Sequence, residues 1–229
     1  MAIGHASAEL PGIAVFARAP QAGAAKTRLI PALGAAAAAR LQRRLTLQAL
    51  TVAQHAALGR VTLWGAPDDQ QRFFRAVQRA CGVDLRSQSG SDLGARMAAA
   101  FVAQAGPLLL IGSDCPALQP AHLVAAAQVL LDEHPHGKDA VFIPAEDGGY
   151  VLVGLRCPQP QLFEAIEWGS ERVMAQTRRR LSELDLSWIE LPRLWDVDRP
   201  ADLLRLATLE GFVEWNQGIP DAGGLRWRC

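Results

Sequence analysis

Short apolar runs alternate along this chain with longer segments in which apolar residues recur every three or four positions. The apolar runs predict buried strands, and the longer segments predict amphipathic helices. The predicted strands cover residues 13–18, 60–64, 83–87, 108–111, 140–144, 150–154 and 186–189. The predicted helices cover residues 35–53, 68–80, 91–105, 120–132, 170–184 and 199–209.

Strands that alternate with helices predict the α/β class, here a Rossmann-like, mostly parallel sheet with helices on both faces. No internal repeat, linker or low-complexity segment interrupts the 229 residues, so we expect a single domain with a tail of unassigned structure at residues 211–229. Ligands of such sheets bind beyond the carboxyl ends of the strands. We therefore expect the catalytic and binding residues in the loops after residues 18, 87, 111 and 144.

The first of these loops, APQAGAAKTRL, is made of small residues and ends in two cations. Ala19 and Gly23 leave backbone amides free to approach phosphate oxygens, and Lys26 and Arg28 supply positive charge. The loop is not a Walker A motif, because alanine and proline stand where that motif requires glycine. We therefore favour phosphate binding over the alternative, a surface loop with two solvated cations.

Two segments carry candidate metal ligands. Asp114 follows the apolar strand LLLI, where its carboxylate could bridge Mg²⁺ or Mn²⁺ to a diphosphate, or serve as a turn residue. Asp196 and Asp198 alternate, so in an extended segment both point to one side and could supply further metal ligands. Equally, Asp198 could cap a helix that begins at Arg199.

The segment EDGGY, residues 146–150, combines a turn signal with a carboxylate. Asp147 could accept a hydrogen bond from a sugar or acceptor hydroxyl or act as a base toward it, with Gly148 and Gly149 leaving room beside it. The alternative is a plain β-turn, for which Asp-Gly is a strong signal. Tyr150, the only tyrosine of the chain, could stack on the same ligand or donate to it.

A weaker candidate is the segment SGSDLGARM, which opens a predicted helix. Gly94 would permit close approach of a nucleobase or phosphate, and Arg96 adds charge. Asp92 belongs to the same candidate site, although it is also a good helix N-cap and that role alone explains it.

Composition narrows the class of protein. Hydrophobic residues make up 50% of the chain, charged residues 20%, and the formal net charge is +0. This balance excludes a disordered chain and offers no overall basic field for nucleic acid. The first dozen residues lack the features of a signal peptide, and no run approaches the ~20 apolar residues of a membrane span. We expect a cytoplasmic protein with no nucleic-acid or membrane partner, and the composition leaves its oligomeric state open.

The cysteines suggest a reducing environment. Cys81, Cys115, Cys157 and Cys229 are widely spaced and contain no Cys-x-x-Cys pair. We expect reduced thiols rather than a disulfide framework or a zinc site, and we interpret Cys115 as a small buried side chain.

Across residues 13–206 the chain contains, in this order, the segments FARAPQAGAAKTRL, SGSDLGARM, LLLIGSDCPAL, PAEDGGYVLVGL, WGSERV and LWDVDRPADL. Together they resemble the motifs of a bacterial family of GT-A-like glycosyltransferases, some of them linked to arsenosugar biosynthesis or to radical-SAM/selenodomain proteins. More loosely, the chain is similar to nucleotidyltransferases such as 2-phospholactate guanylyltransferase and the molybdenum-cofactor guanylyltransferase.

This resemblance implies a nucleotide-diphospho-sugar transferase fold in which Mg²⁺ or Mn²⁺ holds the phosphates of the nucleotide. By motif position, the resemblance implies that Lys26 and Arg28 belong to the phosphate-binding loop and that Asp114 is the metal-binding aspartate. It implies that Asp147, Gly148 and Gly149 form the turn that binds the sugar or acceptor. Asp198 or Asp196 would be the second carboxylate beside the metal. The chain departs from the GT-A pattern by having one aspartate in Gly112-Ser113-Asp114, where such transferases commonly have two.

Three functions remain open at this stage. The first is a glycosyltransferase that uses a nucleotide sugar and a small-molecule acceptor, with Asp147 and Asp114 as catalytic residues. The second is a nucleotidyltransferase that uses a nucleoside triphosphate and a phosphorylated metabolite. The third is a non-catalytic nucleotide-binding module, against which the carboxylates at separate strand ends argue, because binding alone requires fewer of them.

Overall fold

The computed structural model describes residues 10–132 and 137–212. The strands in this part of the chain are β1 (Gly12–Arg18), β2 (Val61–Ala66), β3 (Asp84–Ser87), β4 (Leu108–Gly112), β5 (Ala140–Pro144), β6 (Tyr150–Leu155) and β7 (Trp188–Glu190). The α-helices are α1 (Ile30–Leu33), α2 (Ala35–His55), α3 (Arg72–Cys81), α4 (Leu93–Val102), α5 (Pro120–Leu131), α6 (Val173–Glu183) and α7 (Asp202–Leu206). Short 3₁₀ helices occupy Thr27–Leu29 and Pro160–Phe163.

The strands form one sheet in the order β3-β2-β1-β4-β6-β5-β7. Strand β6 is antiparallel to β4 and β5, and the other neighbouring pairs are parallel. The carboxyl ends of the six parallel strands therefore share one edge with the start of β6. This sheet is the predicted mostly parallel, Rossmann-like architecture, and its carboxyl edge positions the candidate site.

Alternate residues of each strand face different helices. Ile13 and Val15 of β1 belong to a buried cluster that includes residues of α2, α3 and α5. Ala14 and Phe16 belong to a second cluster that includes residues of α4 and α6. Because side chains alternate along a strand, these two clusters show that both faces of the sheet are covered, as the sequence predicts. No helix in the described residues is both long and apolar enough to cross a membrane.

A third, smaller cluster fixes two loops beside each other at the carboxyl edge. Leu29, which follows the cationic loop, is buried together with Trp195 and Val197 from the segment after β7. Leu41 and Leu45 of α2 complete the contact. This packing holds the segment 194–198 against the loop that carries Lys26 and Arg28.

The main differences from the predicted elements occur at helix starts. The helix expected over residues 68–80 begins at Arg72. The backbone before it turns instead, with Gln70 N donating to Asp68 Oδ1 at 2.9 Å. The last helix is also shorter than expected, and the 3₁₀ and α1 turns between residues 27 and 33 are not predicted by the sequence pattern. Such segments contain too few residues for a hydrophobic period to be recognised.

The cysteines depart from expectation at one position. Cys81 is disulfide-bonded, so the prediction of a reduced thiol is wrong for this residue. Cys115 and Cys157 are free, and burial raises the pKa of the Cys115 thiol to about 12, which agrees with the interpretation of a small buried side chain. Cys229 and residues 213–229 of the predicted tail lie outside the described residues.

Candidate functional site

The carboxyl edge of the sheet contains three adjoining cavities. We name them after one lining residue each: the Lys26 cavity of 630 Å³, the Arg172 cavity of 980 Å³ and the Tyr150 cavity of 230 Å³. Asp198 lines the first two, and Asp147 and Asp196 line the last two. The three cavities therefore form one cleft, and the aspartates that they share lie between neighbouring cavities.

Lys26 lies at the end of the loop that follows β1, directly before the 3₁₀ helix that begins at Thr27. Its side chain is only 4% exposed, its ammonium lies 2.9 Å from Asp114 Oδ1, and Nζ donates to the Val197 carbonyl at 2.5 Å. Lys26 also adopts a left-handed backbone conformation with φ 49°. The two partners hold the cation in place, so Lys26 neutralises Asp114, and it is one of the residues that line the Lys26 cavity.

The small residues before Lys26 shape its loop. Ala19 is buried at the end of β1. Gly23 has φ +85° and no atom within contact distance of the position that a Cβ would occupy. Glycine is therefore favoured at position 23 by its backbone conformation, whereas the space beside it is open.

Arg28 forms an ion pair with Asp198, and both side chains line the Lys26 and Arg172 cavities. The capping alternative for Asp198 is wrong. The carboxylate that accepts from the backbone amides of Asp198 and Arg199, at 2.9 and 2.6 Å, belongs to Asp202. Asp198 is therefore free of a helix-capping role and faces a cation in the cleft.

Asp114 is oriented by a chain of polar contacts that starts on α2. Gln42 Nε2 donates to Ser113 Oγ at 3.0 Å, and Ser113 Oγ donates to Asp114 Oδ1 at 3.2 Å. The backbone of Asp114 accepts from Val197 N at 2.9 Å. Gln42 is a residue of this polar chain that was not predicted from the sequence. A signal was available, because Gln42 and Thr46 interrupt the apolar stripe formed by Ala38 and Leu50 on this helix.

Asp196 is the most strongly perturbed carboxylate of the cleft. Burial, the largest cause, and the nearby negative charges of Asp147 and Asp114 together raise its pKa to about 6, against an opposing effect of Lys26. The charges of Asp114 and Asp147, from two other loops, thus repel the charge of Asp196. This is the electrostatic arrangement that a bound cation would relieve.

The predicted ligand set of Asp114, Asp196 and Asp198 is not assembled as a metal centre. Within residues 10–132 and 137–212, no three His, Cys, Asp or Glu side chains are grouped so that they could hold a metal ion. Asp114 contacts Lys26, and Asp198 contacts Arg28. Asp196 interacts with the charges of Asp114 and Asp147 instead.

The segment 145–149 forms the tight turn that the sequence predicts. Asp147 Oδ1 accepts from Gly149 N at 3.0 Å, and Ala145 N donates to Gly149 O at 3.0 Å. Gly148 has φ +94°, and a Cβ there would lie 2.1 Å from Glu171 O. The turn role of Asp147 is therefore confirmed, and the same side chain also lines the Arg172 and Tyr150 cavities.

Tyr150 begins β6 and packs edge-on against two aromatic rings. Its ring centroid lies 5.4 Å from that of Phe142 and 6.3 Å from that of Trp168. Its hydroxyl lies 4.0 Å from Met97 Sδ. Tyr150 lines the smallest cavity, directly after the turn that carries Asp147.

The start of α4 is occupied mainly by the protein itself. Asp92 caps the helix by accepting from Ala95 N at 2.8 Å, so the capping role is confirmed. A Cβ at Gly94 would lie 2.6 Å from Phe163 O and 2.7 Å from Trp168 Nε1. The close approach at Gly94 is therefore made by the protein, which corrects the expectation that glycine here makes room for a nucleotide.

Arg96 lies one helical turn beyond the cap. Its Nε donates to Gly90 O at 3.3 Å, which folds the preceding loop onto the helix. Asp92 and Arg96 both line the Lys26 cavity, opposite the loop that carries Lys26. Of the three residues that the sequence predicts for this candidate site, Asp92 and Arg96 line the cleft and Gly94 does not.

The family of the chain follows from a match over residues 46–170, which is more than half of its length. The chain belongs to DUF2064. This family is described as an uncharacterized protein conserved in bacteria. No curated protein matches the chain in sequence.

Solved structures similar to this member of DUF2064 share its fold. One of them is a protein from Desulfovibrio desulfuricans G20 that is provisionally assigned as a nucleotide-diphospho-sugar transferase. It matches with a TM-score of 0.75 and 28% identity, over 89% of this chain and 90% of that one. CMP:2-keto-3-deoxy-manno-octonic acid synthetase, solved with CTP, matches at 0.55 and 15% identity, over 90% of this chain and 99% of that one.

A third similar structure is glucosyl-3-phosphoglycerate synthase from Mycobacterium tuberculosis, solved with Mn²⁺, UDP and glucosyl-3-phosphoglycerate. It matches with a TM-score of 0.50 and 12% identity, over 93% of this chain and 82% of that one. The comparisons identify the sheet and its helices as a nucleotide-diphospho-sugar transferase fold.

Proposed function

We propose that this protein is a glycosyltransferase that uses a nucleotide sugar, a small-molecule acceptor, and Mg²⁺ or Mn²⁺. One observation carries the proposal: at the carboxyl edge of a nucleotide-diphospho-sugar transferase fold, Asp196 lies within reach of the charges of Asp114, Asp147 and Lys26, in a cleft that Arg28 also lines. Ligands of open α/β sheets bind at this edge.

The Lys26 cavity is the proposed nucleotide site. Its volume of 630 Å³ lies within the range of small-molecule sites, and it contains both Lys26 and Arg28. In the free protein each cation is paired with an aspartate. The diphosphate of the donor would compete for these cations, and their charge would stabilise the nucleoside diphosphate as it leaves.

The acidic side of the cleft suits a divalent cation in charge and donor type, although no three carboxylates of the described residues are assembled to hold one. Oxygen ligands are those that Mg²⁺ and Mn²⁺ prefer, and the repulsion that raises the pKa of Asp196 falls when a cation lies nearby. Asp114 and Asp196 are the residues that would hold it. The metal would supply neutralisation of the donor diphosphate.

The protein's own groups account for the remaining step. The acceptor oxygen forms a bond to the anomeric carbon, and the bond from that carbon to the diphosphate oxygen breaks with its electron pair leaving on the nucleoside diphosphate. The acceptor proton moves to the carboxylate of Asp147, which lines both the Arg172 and the Tyr150 cavities.

The first experiment is a thermal-shift panel of nucleotide sugars, nucleoside diphosphates and nucleoside triphosphates, with and without Mn²⁺. A ligand at a hundredfold its dissociation constant stabilises the fold by about 2.7 kcal/mol, which corresponds to roughly 5–10 °C for a domain of this size. We expect a metal-dependent shift with one nucleotide sugar, and release of its nucleoside diphosphate when an acceptor is supplied.

Asp114→Asn should abolish the metal-dependent shift, and Asp84→Asn is its matched control. Asp84 has similar exposure, 45% against 48%, and a similar ion pair, at 2.8 Å against 2.9 Å, but it begins β3 at the opposite edge of the sheet. A shift confined to triphosphates, with release of pyrophosphate, would replace glycosyl transfer by nucleotidyl transfer. Absence of any metal-dependent shift would refute both.

A further inference from the structure

The Tyr150 cavity differs chemically from the rest of the cleft. Its volume is 230 Å³, and it is lined by apolar side chains from both halves of the sheet and the helices that cover it. Phe16 comes from β1, Met97 from α4, Leu110 from β4 and Val173 from α6, with Trp168 from the loop before α6. A space with such walls accommodates an apolar group of roughly one ring.

One polar group within this wall has a poor partner. Tyr150 is half-buried in this wall, and desolvation raises the pKa of its phenol, so the hydroxyl is protonated at neutral pH. Its contact in the protein is the thioether of Met97 at 4.0 Å, and thioether sulfur is a weak hydrogen-bond acceptor. A hydroxyl whose partner in the protein is this weak has hydrogen-bonding capacity left for a ligand.

The cavity is also connected to the proposed chemistry. Asp147 and Asp196 line it together with the apolar groups. A molecule bound in the cavity would therefore have its apolar part between the sheet and the covering helices and its reacting oxygen near the two carboxylates.

We propose that the Tyr150 cavity binds an aromatic ring of the acceptor, and that a polar substituent on this ring bonds the Tyr150 hydroxyl. The proposal rests on the function proposed above and specifies its acceptor as an aromatic alcohol or phenol. The edge-on packing of Tyr150 against Phe142 and Trp168, at 67° and 88°, shows that this wall already accommodates rings in the geometry that aromatic pairs prefer.

A sugar ring fits these walls less well. Each buried hydroxyl without a partner costs about 1–3 kcal/mol, and most of the lining side chains offer no hydrogen bond. A nucleobase meets the same difficulty with its ring nitrogens and carbonyls. The nucleotide has a more polar alternative in the Lys26 cavity, where Gln88 and Arg96 are present.

The test measures binding of small probes to the full chain by saturation-transfer NMR and titration. The probes are phenol, benzyl alcohol, cyclohexanol and methyl α-glucopyranoside, with uridine and guanosine added as competitors. We expect phenol and benzyl alcohol to bind with dissociation constants of about 1 mM, within the efficiency allowed for such small ligands. Cyclohexanol should bind at least about threefold more weakly, the glucoside should not bind, and neither nucleoside should displace phenol.

Two variants locate the bound probe. Tyr150→Phe keeps the ring and removes the hydroxyl, so phenol binding should weaken by about three- to tenfold. Leu93→Asn places an amide at the lining of the cavity and should weaken both aromatic probes. Its control is Val102→Asn on the same helix, because Val102 is also an exposed apolar residue, at 61% against 43% for Leu93, but does not line the cavity. The control should bind like the wild type.

The outcomes separate this proposal from the function that it refines. Binding of the glucoside in place of phenol, displacement of phenol by a nucleoside, or loss of binding in Val102→Asn would overturn the aromatic assignment. So would absence of binding by every probe. If aromatic probes fail while a nucleotide sugar still gives its metal-dependent thermal shift, the acceptor assignment falls and the transferase proposal stands. If aromatic probes bind and no nucleotide does, the transferase proposal falls and the aromatic site remains.

Discussion

The polar contacts from Gln42 to Asp114 show how a residue remote in sequence can set the geometry of the cleft. Gln42 is 3% exposed and Ser113 is 6% exposed, so the contact between them is sheltered from water. Gln42→Leu would leave the Ser113 hydroxyl without this donor and release the orientation of Asp114. We expect the free energy of unfolding to fall by about 1–2 kcal/mol and metal-dependent nucleotide affinity to fall by about three- to tenfold.

The control for this prediction lies on the same helix. Gln54 Nε2 donates to Cys81 O at 2.7 Å, away from the cleft. Gln54→Leu should lower stability by a similar amount, measured by urea unfolding, and leave nucleotide affinity unchanged by titration calorimetry. Equal affinities in the two variants would show that Gln42 is a packing residue without influence on Asp114.

At the scale of single residues, the sequence predicts which side chains line the cleft better than it predicts their contacts. Lys26, Asp114 and Asp147 are recognisable because they lie in loops that follow apolar strands, and the fold brings the ends of these strands together. Asp196 is recognisable because it alternates with Asp198 along its segment. The partners of these residues are not recognisable, because Val197 and Asp114 are distant from Lys26 along the chain and no local pattern encodes the pairing. The prediction that Gly94 makes room for a nucleotide is wrong for the same reason, since the contacts of Gly94 lie in the later segment 163–168.

Whole elements are predicted with greater success. The strands are short apolar runs bounded by glycine, proline or charge, so most of their bounds are correct to within one or two residues. Pairing direction is harder to infer, because β6 returns antiparallel through a tight turn while the other strands cross over in parallel. Most of the predicted helices are shorter in the structure, because capping and turn contacts at their ends compete with the hydrophobic period, whereas α2 extends beyond its predicted end to His55.

The contact between α6 and β7 yields a prediction on pH dependence. Arg178 donates to Glu190 in a two-point pair, through Nε at 2.7 Å and Nη2 at 2.8 Å. The hydrogen bonds from Arg178 hold the pKa of Glu190 below its ordinary value, so the folded state favours the charged carboxylate. The stabilisation is therefore present above the pKa of the unfolded chain and is lost as pH falls through the lowered pKa.

Glu190→Gln should lower the free energy of unfolding by about 1 kcal/mol at pH 7, because the ion pair with Arg178 is only partly exposed and is made through two hydrogen bonds. The difference from the wild type should shrink as the pH approaches 3. Urea unfolding at both pH values measures it, with Glu183→Gln on α6 as the control for an exposed ion pair. A difference that stays constant with pH would mean that the amide loses packing rather than charge.

On the scale of the whole molecule, Lys26 connects parts of the chain that are far apart in sequence. Its ammonium links the loop after β1 to Asp114 after β4 and to the carbonyl of Val197 after β7. Val197 N in turn donates to Asp114 O. One buried cation therefore holds together three segments that form the floor of the cleft, and the proposed nucleotide would compete for the same charge.

Lys26→Met tests this arrangement because it keeps the length of the side chain and removes its charge. Asp114 would lose its counterion, and the segment 194–198 would lose the bond to the Val197 carbonyl. We expect amide hydrogen exchange in this segment to accelerate by at least about tenfold, which corresponds to a local loss of about 1.4 kcal/mol. Strands β1 and β2, whose ladder does not involve Lys26, should exchange as in the wild type.

Arg60→Met provides the comparison, because it also removes a cation from an ion pair, with Asp84, but at an exposed position on the far edge of the sheet. It should leave exchange in the segment 194–198 unchanged. If Lys26→Met accelerates exchange evenly over the sheet, Lys26 contributes to global stability alone. If exchange in residues 194–198 is unchanged, the cluster of Leu29, Trp195 and Val197 holds the segment without the cation, and the cleft floor is fixed by packing rather than by charge.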